Sequence, residues 1–318
     1  MNIAIQGVSL VFHGGADLQS LENIISLRSK VSEFEIKEEI FQSNPSLSKM
    51  RRAGKFAKLA LMGAENCILD SGISPCGNES MGLIIATGLG AHVETFEYID
   101  SLLDFGEKNP SPIKFTHSLH NCAATYISTK LKINGPCITI ADFYHSFENA
   151  LLTADTWLNL GVCKYVLLGA LDECGSVLSY VFDNLANKGK EVFDCKKAGE
   201  GAVFFMLEKR NDSKYCFIEN GSSIEKNNVN CFNLYISKTF SGNKEAETKE
   251  QKNTIVSSIF GENMINDAFA ALISVLILEK ERNFNFNGFN IIPDVKEVRI
   301  HNSYDKSNSK IRLFKSGE

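Results

Sequence analysis

Residues 115–173 have the sequence FTHSLHNCAATYISTKLKINGPCITIADFYHSFENALLTADTWLNLGVCKYVLLGALDE. The first part, residues 117–132, is rich in alanine and other small residues and has a helical pattern. A break at Gly135 and Pro136 follows, because neither residue continues a helix easily. We therefore expect one helix over residues 117–132 that ends before this turn.

The rest of the stretch alternates between strand and helix. Residues 137–140 are a short β run, residues 146–160 form a second helical pattern, and residues 165–171 are wholly apolar. A short apolar run of this kind is typical of a strand that is buried on both faces. Strand, helix and strand in this order predict a βαβ unit, whose crossover makes the two strands parallel.

This stretch resembles the nucleophile region of the β-ketoacyl synthases, the condensing enzymes of fatty-acid and polyketide synthesis. In that family a G-P turn precedes a strand, an elbow with the nucleophilic Cys, a long Ala-rich helix and a Gly-containing turn. Gly135-Pro136 and Gly161 match the two turns without a gap. Counted from the G-P turn, the position of the family's Cys falls on Tyr144.

Two further segments resemble the same family. Residues 48–73, SKMRRAGKFAKLALMGAENCILDSGI, are similar to its helix with paired Arg and Lys-x-Ala-x-x-Ala, and we expect a helix over residues 47–71. Gly199-Glu200-Gly201-Ala202 resembles the turn into the last strand of the family's first half. The resemblance implies an α/β, thiolase-like layered αβαβα fold with two related halves, residues 1–209 and a shortened half at 210–318.

The ends of the chain give simpler expectations. Residues 1–12 predict a first strand rather than a signal peptide, and Asp17 is suited to cap the helix that follows. Residues 295–301 and 311–314 alternate apolar and polar residues, which predicts a β-hairpin. Residues 264–280 are the strongest helical pattern of the second half.

Composition excludes several classes of function. The formal net charge is −5 and basic residues form no nucleic-acid footprint, so we expect no nucleic-acid partner. No apolar run reaches the length of a membrane span. Nine cysteines without a C-x-x-C pair favour a reducing cytoplasm, and the Cys and His spacing favours no metal site. We expect no cofactor.

The family's chemistry needs a Cys at the elbow and two His in the second half, and the matching positions hold other residues. The elbow holds Tyr144, and the family's H-G-T-G-T region aligns with residues 237–241, where Ser237 replaces the His. In residues 257–262, Ser257 and Glu262 stand where the K-x-x-x-G-H motif has Lys and His. Four changes in one direction, counting the lost glycines after Asn302, predict a ketosynthase fold without ketosynthase chemistry.

The resemblance therefore implies a chain length factor, the subunit that pairs with an active ketosynthase in type II polyketide systems and has no catalytic residue. Its partners would be the ketosynthase, in a heterodimer, and an acyl carrier protein. The sequence pattern S-x-H-N-x-A-A-x-x-x-S at residues 118–128 is similar to that of the small ketosynthase-like partners of aryl-polyene clusters. The residues expected to line or gate the acyl tunnel are Phe115, Cys122, Tyr144 and His145, and those expected at the subunit interface are Cys137, Ile138, Thr139 and Ile140.

Two alternatives stay open at this point. One is a stand-alone acyltransferase or thioesterase that uses Cys122 or Ser146, with His145 beside the latter. Adjacent residues seldom present a nucleophile and its base to each other, and a Cys among alanines is more often a packed thiol. The other alternative is a structural homodimer without any acyl chemistry.

Overall fold

The computed structural model describes most of the chain. The described residues are 2–27, 31, 33–42, 44–47, 50, 52–75, 80–106, 108–187, 198–221, 231–238, 254–261, 263–279, 284–286, 289–291, 295–304 and 307–315. Among them no helix is both long and apolar enough to cross a membrane.

The described residues form eleven strands and ten helices. The strands are β1 (Asn2–Val11), β2 (Met81–Thr87), β3 (Cys137–Ala141), β4 (Tyr165–Asp172), β5 (Gly201–Arg210), β6 (Phe217–Asn220), β7 (Cys231–Lys238), β8 (Phe284–Phe286), β9 (Phe289–Ile291), β10 (Glu297–Tyr304) and β11 (Ser307–Phe314). The helices are α1 (Leu18–Leu27), α2 (Glu39–Gln42), α3 (Lys55–Ser71), α4 (His92–Phe105), α5 (Pro112–Ser118), α6 (Cys122–Leu131), α7 (Ser146–Asn159), α8 (Ser176–Asn187), α9 (Thr254–Phe260) and α10 (Asn266–Glu279).

Nine strands make one mixed sheet in the order β3-β2-β4-β5-β1-β6-β11-β10-β7. The predicted βαβ unit is confirmed, because β3 and β4 both run parallel to β2, which lies between them. β5 pairs antiparallel with β4 and with β1. The pairing of β1 with β6, through Ile3–Ile218 and Ala4–Phe217, joins the first five strands to the last four.

The second group of strands repeats the first with one strand fewer. β6, β11, β10 and β7 follow the order and directions of β1, β5, β4 and β2, with antiparallel pairing except for the parallel pair β10–β7. The described residues place no counterpart of β3 beside β7. Residues 221–230 alone connect β6 to β7, whereas α1, α2 and α3 lie between β1 and β2. The predicted division at residues 209/210 falls at the end of β5 and stays a prediction.

The two groups of strands face a shared layer of helices. α7 and α10 pack with one face of the first group, and Phe147, Leu151 and Phe269 join a single core with the inner face of β7, β10 and β11. α10 is buried around its whole circumference, as expected of a helix between two sheets. α3 and α6 cover the other face of the first group. The predicted thiolase-like layered α/β fold is thus confirmed.

The outer face of the second group carries polar side chains. Residues alternate along β7 and β10, so that Leu234 and Val298 point into the core while Tyr235 and His301 lie on the opposite face. The rings of Tyr235 and His301 stack 4.7 Å apart. Arg312 donates to Glu219 at 3.1 Å and to Glu297 at 3.0 Å on that face. Such an ionic surface is suited to water, and the described residues place no helix over it.

Two helix predictions need correction. Residues 117–132 form two helices, because α5 ends at Ser118 and α6 begins at Cys122. The Thr95 hydroxyl donates to the Ser118 carbonyl at 3.1 Å, which satisfies an acceptor at the C-terminal end of α5. The helix expected from residue 47 begins at Lys55, and Gly72 ends it as predicted with φ of 68°.

The predicted N-cap and hairpin are both confirmed. The Asp17 carboxylate accepts from the Ser20 backbone N at 2.7 Å, at the start of α1. β10 and β11 pair antiparallel along their full length, from Glu297–Phe314 to Tyr304–Ser307.

Candidate functional site

The elbow after β3 is shaped by Asp142. Its Oδ1 atom accepts from the backbone N of Tyr144 at 2.9 Å and of His145 at 3.3 Å, which makes an Asx turn. α7 begins directly afterwards at Ser146. The turn therefore presents Tyr144 two residues before a helix N-terminus, and the Tyr144 side chain is half-buried there.

A buried carboxylate lies behind the elbow. Glu148, in the first turn of α7, is only 4% exposed. It accepts from the Ser309 hydroxyl at 2.6 Å and from the Asn302 amide, and its Oε1 atom lies 3.9 Å from His145 Nδ1. A negative charge at a helix N-terminus is favourable. Glu148 thus ties the elbow of the first half to the C-terminal hairpin of the second.

Neither alternative nucleophile has an activating environment. Burial, together with the charges of Glu94 and Glu173, raises the pKa of the Cys122 thiol to about 12. A thiol with that pKa is protonated at neutral pH and is a poor nucleophile. Ser146 is fully buried, and its hydroxyl contacts no base among the described residues. The structure therefore offers no nucleophile–base pair at either position.

The second-half positions are only partly described. Ser237 lies in β7 beside Ser303 of β10, one residue beyond the Asn302 that contacts Glu148. The backbone of Ser237 therefore lies beside β10, the strand whose Asn302 contacts Glu148 at the elbow. Ser257 lies in α9 and is half-buried. Glu262 lies outside the described residues.

The loop after α9 nevertheless reaches the first half. A Cβ atom on Gly88 would come within 2.1 Å of Met264 Cβ, and one on Gly199 within 1.7 Å of the Phe260 carbonyl oxygen. The close approach of a neighbouring chain segment leaves room only for glycine at both positions. Asp172 holds this turn, because its carboxylate accepts from the Gly88 backbone N at 3.1 Å and from Thr87 Oγ1 at 2.6 Å.

The tunnel candidates lie on neighbouring elements. Phe115 on α5 is half-exposed, and its ring centroid lies 5.4 Å from that of Tyr98 on α4. Cys122 is buried at the start of α6. The Tyr126 hydroxyl lies 3.0 Å from His117 Nε2, which links α6 to α5 across the break between them. Sequence reasoning named neither Tyr126 nor Glu148.

The interface candidates form an edge of the sheet. β3 is the first strand in the sheet order and pairs with β2. Cys137 and Ile138 are exposed, with Ile138 at 41%, while Thr139 and Ile140 are half-buried. Large apolar side chains are also exposed on the elements that flank β3: Ile113, Phe115 and Leu119 on and after α5, Phe143 at the elbow, and Leu152 on α7.

Metal-ligating side chains are not clustered in the part of the chain that the structure describes, where no three His, Cys, Asp or Glu side chains lie close enough to hold an ion. Some of the buried acids are instead held by protein donors. Glu200, for example, accepts from Lys55 Nζ at 2.7 Å and from the Cys174 backbone N at 3.0 Å.

The strand–elbow–helix unit, set in two repeated groups of strands around shared helices, defines a fold of the thiolase-like class. A family model for the N-terminal domain of β-ketoacyl synthases matches residues 30–212, more than half of the chain. The chain therefore belongs to the β-ketoacyl synthase family. No curated protein matches it in overall sequence comparison.

Solved structures agree on the fold. One is AntDE:AntF, a type II polyketide synthase acyl-carrier protein in complex with its ketosynthase (TM-score 0.72, 13% identity, 99% of both chains covered). Another is the ishigamide ketosynthase/chain length factor (TM-score 0.69, 13% identity, 100% of both chains covered). A third is the ketosynthase ApeO with its chain length factor ApeC from Xenorhabdus doucetiae (TM-score 0.51, 14% identity, covering 70% of this chain and 85% of that one).

Proposed function

We propose that this chain is a non-catalytic, ketosynthase-like subunit of the chain-length-factor kind. It would pair with an active β-ketoacyl synthase and shape the pocket for a growing polyene or polyketide chain. The observation that carries the proposal is Tyr144 at the elbow, where the family has its nucleophilic Cys. A phenol before a helix N-terminus supplies neither a thiolate nor an activated hydroxyl for acyl transfer.

The surroundings of the elbow support the same conclusion. Ser237, Ser257 and Glu262 stand at the positions expected to supply the His and Lys of the reaction. Without those groups the developing charge of decarboxylation would lack its usual stabilisation, which is the largest catalytic contribution in such enzymes. The protonated Cys122 thiol and the enclosed Ser146 hydroxyl weigh against the acyltransferase and thioesterase alternative.

The pocket would form where two subunits meet. Phe115, Cys122, Tyr144 and His145 are the residues that we assign to it, because α6 and the elbow adjoin the β3 edge and α5 packs against α6. The growing chain would arrive on an acyl carrier protein bound to the complex. We assign the pathway more finely to a polyene system, of the aryl-polyene or a related type, and this assignment rests on the sequence pattern of residues 118–128.

The partner would dock on the β3 edge. A strand edge with exposed Ile138 and flanking apolar side chains is suited to pair with a strand of another subunit across a two-fold or pseudo-two-fold axis. The expected interface is the size of an obligate dimer's, which is large and apolar. A structural homodimer would use the same edge.

Co-purification tests the proposal. The tagged chain is co-expressed with a candidate partner, an active β-ketoacyl synthase of the same organism, and the double variant Ile138→Lys/Ile140→Lys should abolish recovery of the partner. Ile140 packs partly against the core, so the single variant Ile138→Lys serves as the folded probe. Leu69→Lys is the matched control, because Leu69 is 78% exposed on α3 at the outer helix layer.

Three outcomes separate the hypotheses. Loss of the partner with Ile138→Lys and retention with Leu69→Lys supports the heterodimer. Recovery of a homodimer only, in the presence of the ketosynthase, supports the structural homodimer. Normal recovery of the ketosynthase by the double variant would place the interface elsewhere.

A further inference from the structure

Two acidic side chains meet in the interior at the start of α4. Glu94 lies in the first turn of α4 and Glu173 follows β4, and they are 8% and 1% exposed. Their carboxyl groups are hydrogen-bonded to each other. The Val93 backbone N donates to Glu173 Oε1 at 3.3 Å. Among the described residues, no N–H or O–H group donates to the Oε2 atom of either carboxyl group.

The space around the pair is shaped to receive it. A Cβ atom on Gly54, at the N-terminus of α3, would lie 1.3 Å from Glu94 Oε1, so the absence of a side chain there is what admits the carboxyl group. Cys122 on α6 approaches the pair from another side, and the charges of both acids act on its thiol.

Among the described residues, Lys55 is the cation that acts on the pair. The groups that face the pair from the surrounding elements are Lys55 on α3, Cys122 and Tyr126 on α6, Glu200 before β5, and His92 on α4 itself. The charge of Lys55 acts on Glu173, but its Nζ atom is bound to Glu200 at 2.7 Å and lies 3.6 Å from Glu35. Two neighbouring carboxyl groups without a cation bound to either cannot both be ionised at low cost.

We propose that Glu94 and Glu173 share one proton, and that this proton fastens the first turn of α4 to the end of β4. In the protonated form one carboxyl group donates to the other, and the remaining charge lies at the α4 N-terminus, where it is stabilised. When the proton leaves, two buried negative charges face each other, and α4 separates from β4. This proton-dependent contact between α4 and β4 does not depend on the proposed function, because it lies within the fold of this chain alone.

The direction of the pH effect follows from linkage. Burial and the charge of Glu94 hold the pKa of Glu173 well above its usual range. A group whose pKa is raised in the folded state contributes stability that is full below its unfolded pKa and is lost as the pH rises toward the folded pKa. The opening equilibrium of α4 should therefore grow with pH, by up to about tenfold per pH unit for one proton.

Other titrating groups contribute least between pH 7 and pH 8. Burial lowers the pKa of His13 and of His92 to about 4, so the stability that they contribute is full above the pKa of a free imidazole, about 6.5, and is lost as the pH falls below it. The Cys122 thiol, with a pKa of about 12, stays protonated in the folded state. Between pH 7 and pH 8 the carboxyl pair should therefore dominate the opening of α4.

Hydrogen exchange of the α4 amides tests the proposal on the full chain. Between pH 7 and pH 8, after correction for intrinsic exchange rates, wild-type protection should fall as the pH rises, by up to about tenfold. Glu173→Gln keeps an acceptor for Val93 and donates permanently to Glu94, so its protection should be independent of pH. Glu97→Gln is the control, because Glu97 is an exposed residue of the same helix, paired with Lys114 at 3.7 Å, and it should behave as wild type.

Equal pH dependence in wild type and Glu173→Gln would overturn the proposal. If Glu173→Gln does not fold, Glu94→Gln replaces it in the same comparison. Proton release gives a second measurement: unfolding by urea at pH 7 should release more protons from the wild type than from Glu173→Gln, because all other titrating groups are the same in the two proteins. Equal release from the two would also overturn the shared-proton state.

Discussion

At the scale of single residues, Tyr144 and Glu148 differ in whether the sequence alone could predict their place at the elbow. Tyr144 could be predicted, because an ungapped count from Gly135-Pro136 reaches it. Glu148 could not, since its role depends on Asn302 and Ser309, which are 154 and 161 residues away along the chain. A buried carboxylate in a helical pattern is indistinguishable from a surface one until the fold supplies its donors.

The chain alone should form no acyl-enzyme. Incubation with an acyl carrier protein thioester should leave the mass of the wild-type chain unchanged. Tyr144→Cys places a thiol near the α7 N-terminus, which favours a thiolate, so slow acylation is expected. Condensation should still be absent, because residues that act as a unit are strongly non-additive. Intact-protein mass spectrometry of both forms, side by side, provides the measurement.

One result would reverse that conclusion. A stoichiometric adduct on the wild type that disappears in Cys122→Ala or Ser146→Ala would make the chain an acyltransferase or thioesterase. The Cys122 and Ser146 variants therefore belong in the first experiment rather than in a later one.

At the scale of elements, the strands were easier to predict than the starts of the helices. Apolar runs such as residues 165–171 specify a buried strand directly, and β4 matches them. At the break between α5 and α6, the Ser118 carbonyl accepts from the hydroxyl of Thr95, which lies on a different helix. Helix propensity within residues 117–132 contains no trace of that contact.

Asp70 joins three elements and should matter for stability. At the end of α3 it accepts from the Val8 backbone N at 2.8 Å, from the Tyr215 hydroxyl at 2.9 Å and from Lys214 Nζ at 2.8 Å. Val8 follows the register shift in β1 between Ile5 and Gly7. Asp70→Asn replaces an acceptor-only group by one that presents donors to donors, so a loss of about 2 kcal/mol in unfolding free energy is expected.

Urea unfolding measures the Asp70 effect. Asp212→Asn is the control, because Asp212 also pairs with a cation, Arg210, but its side chain is 75% exposed. An exposed pair of that kind should change the unfolding free energy by about 0.5 kcal/mol or less. Similar losses for the two variants would mean that the three-way junction at Asp70 contributes no more than a surface ion pair.

At the scale of the whole molecule, the repeat of the sheet explains why the chain can be short and still fold. The second group of strands keeps the inner face that packs on α7 and α10, and it lacks a counterpart of β3 among the described residues. The resemblance implied a shortened half, but the sequence could not say which elements were dispensable. Among the described residues, the core keeps the helix layer of α7 and α10 that both groups of strands share. The outer face of the second group is ionic and has no helix over it.

Product length should respond to the pocket of the assembled complex. Phe115→Ala and Tyr144→Ala each remove a large ring, so the reconstituted complex should release chains at least one extension unit longer. Phe105→Ala, at the exposed end of α4, removes an equal ring away from the elbow and should leave the products unchanged. Mass spectrometry of the released products compares the three. An unaltered distribution in all of them would count against a chain-length role.

The β3 edge also has a consequence for the cell that makes this protein. The free edge of β3, with an exposed Ile138, is a template for unwanted strands as well as for the intended one. Its five residues keep the hazard small but do not remove it. If the chain pairs with a ketosynthase as proposed, copies made in excess of that partner would keep this edge exposed and would be open to precipitation and proteolysis. The proposed pairing therefore requires balanced synthesis of the two subunits.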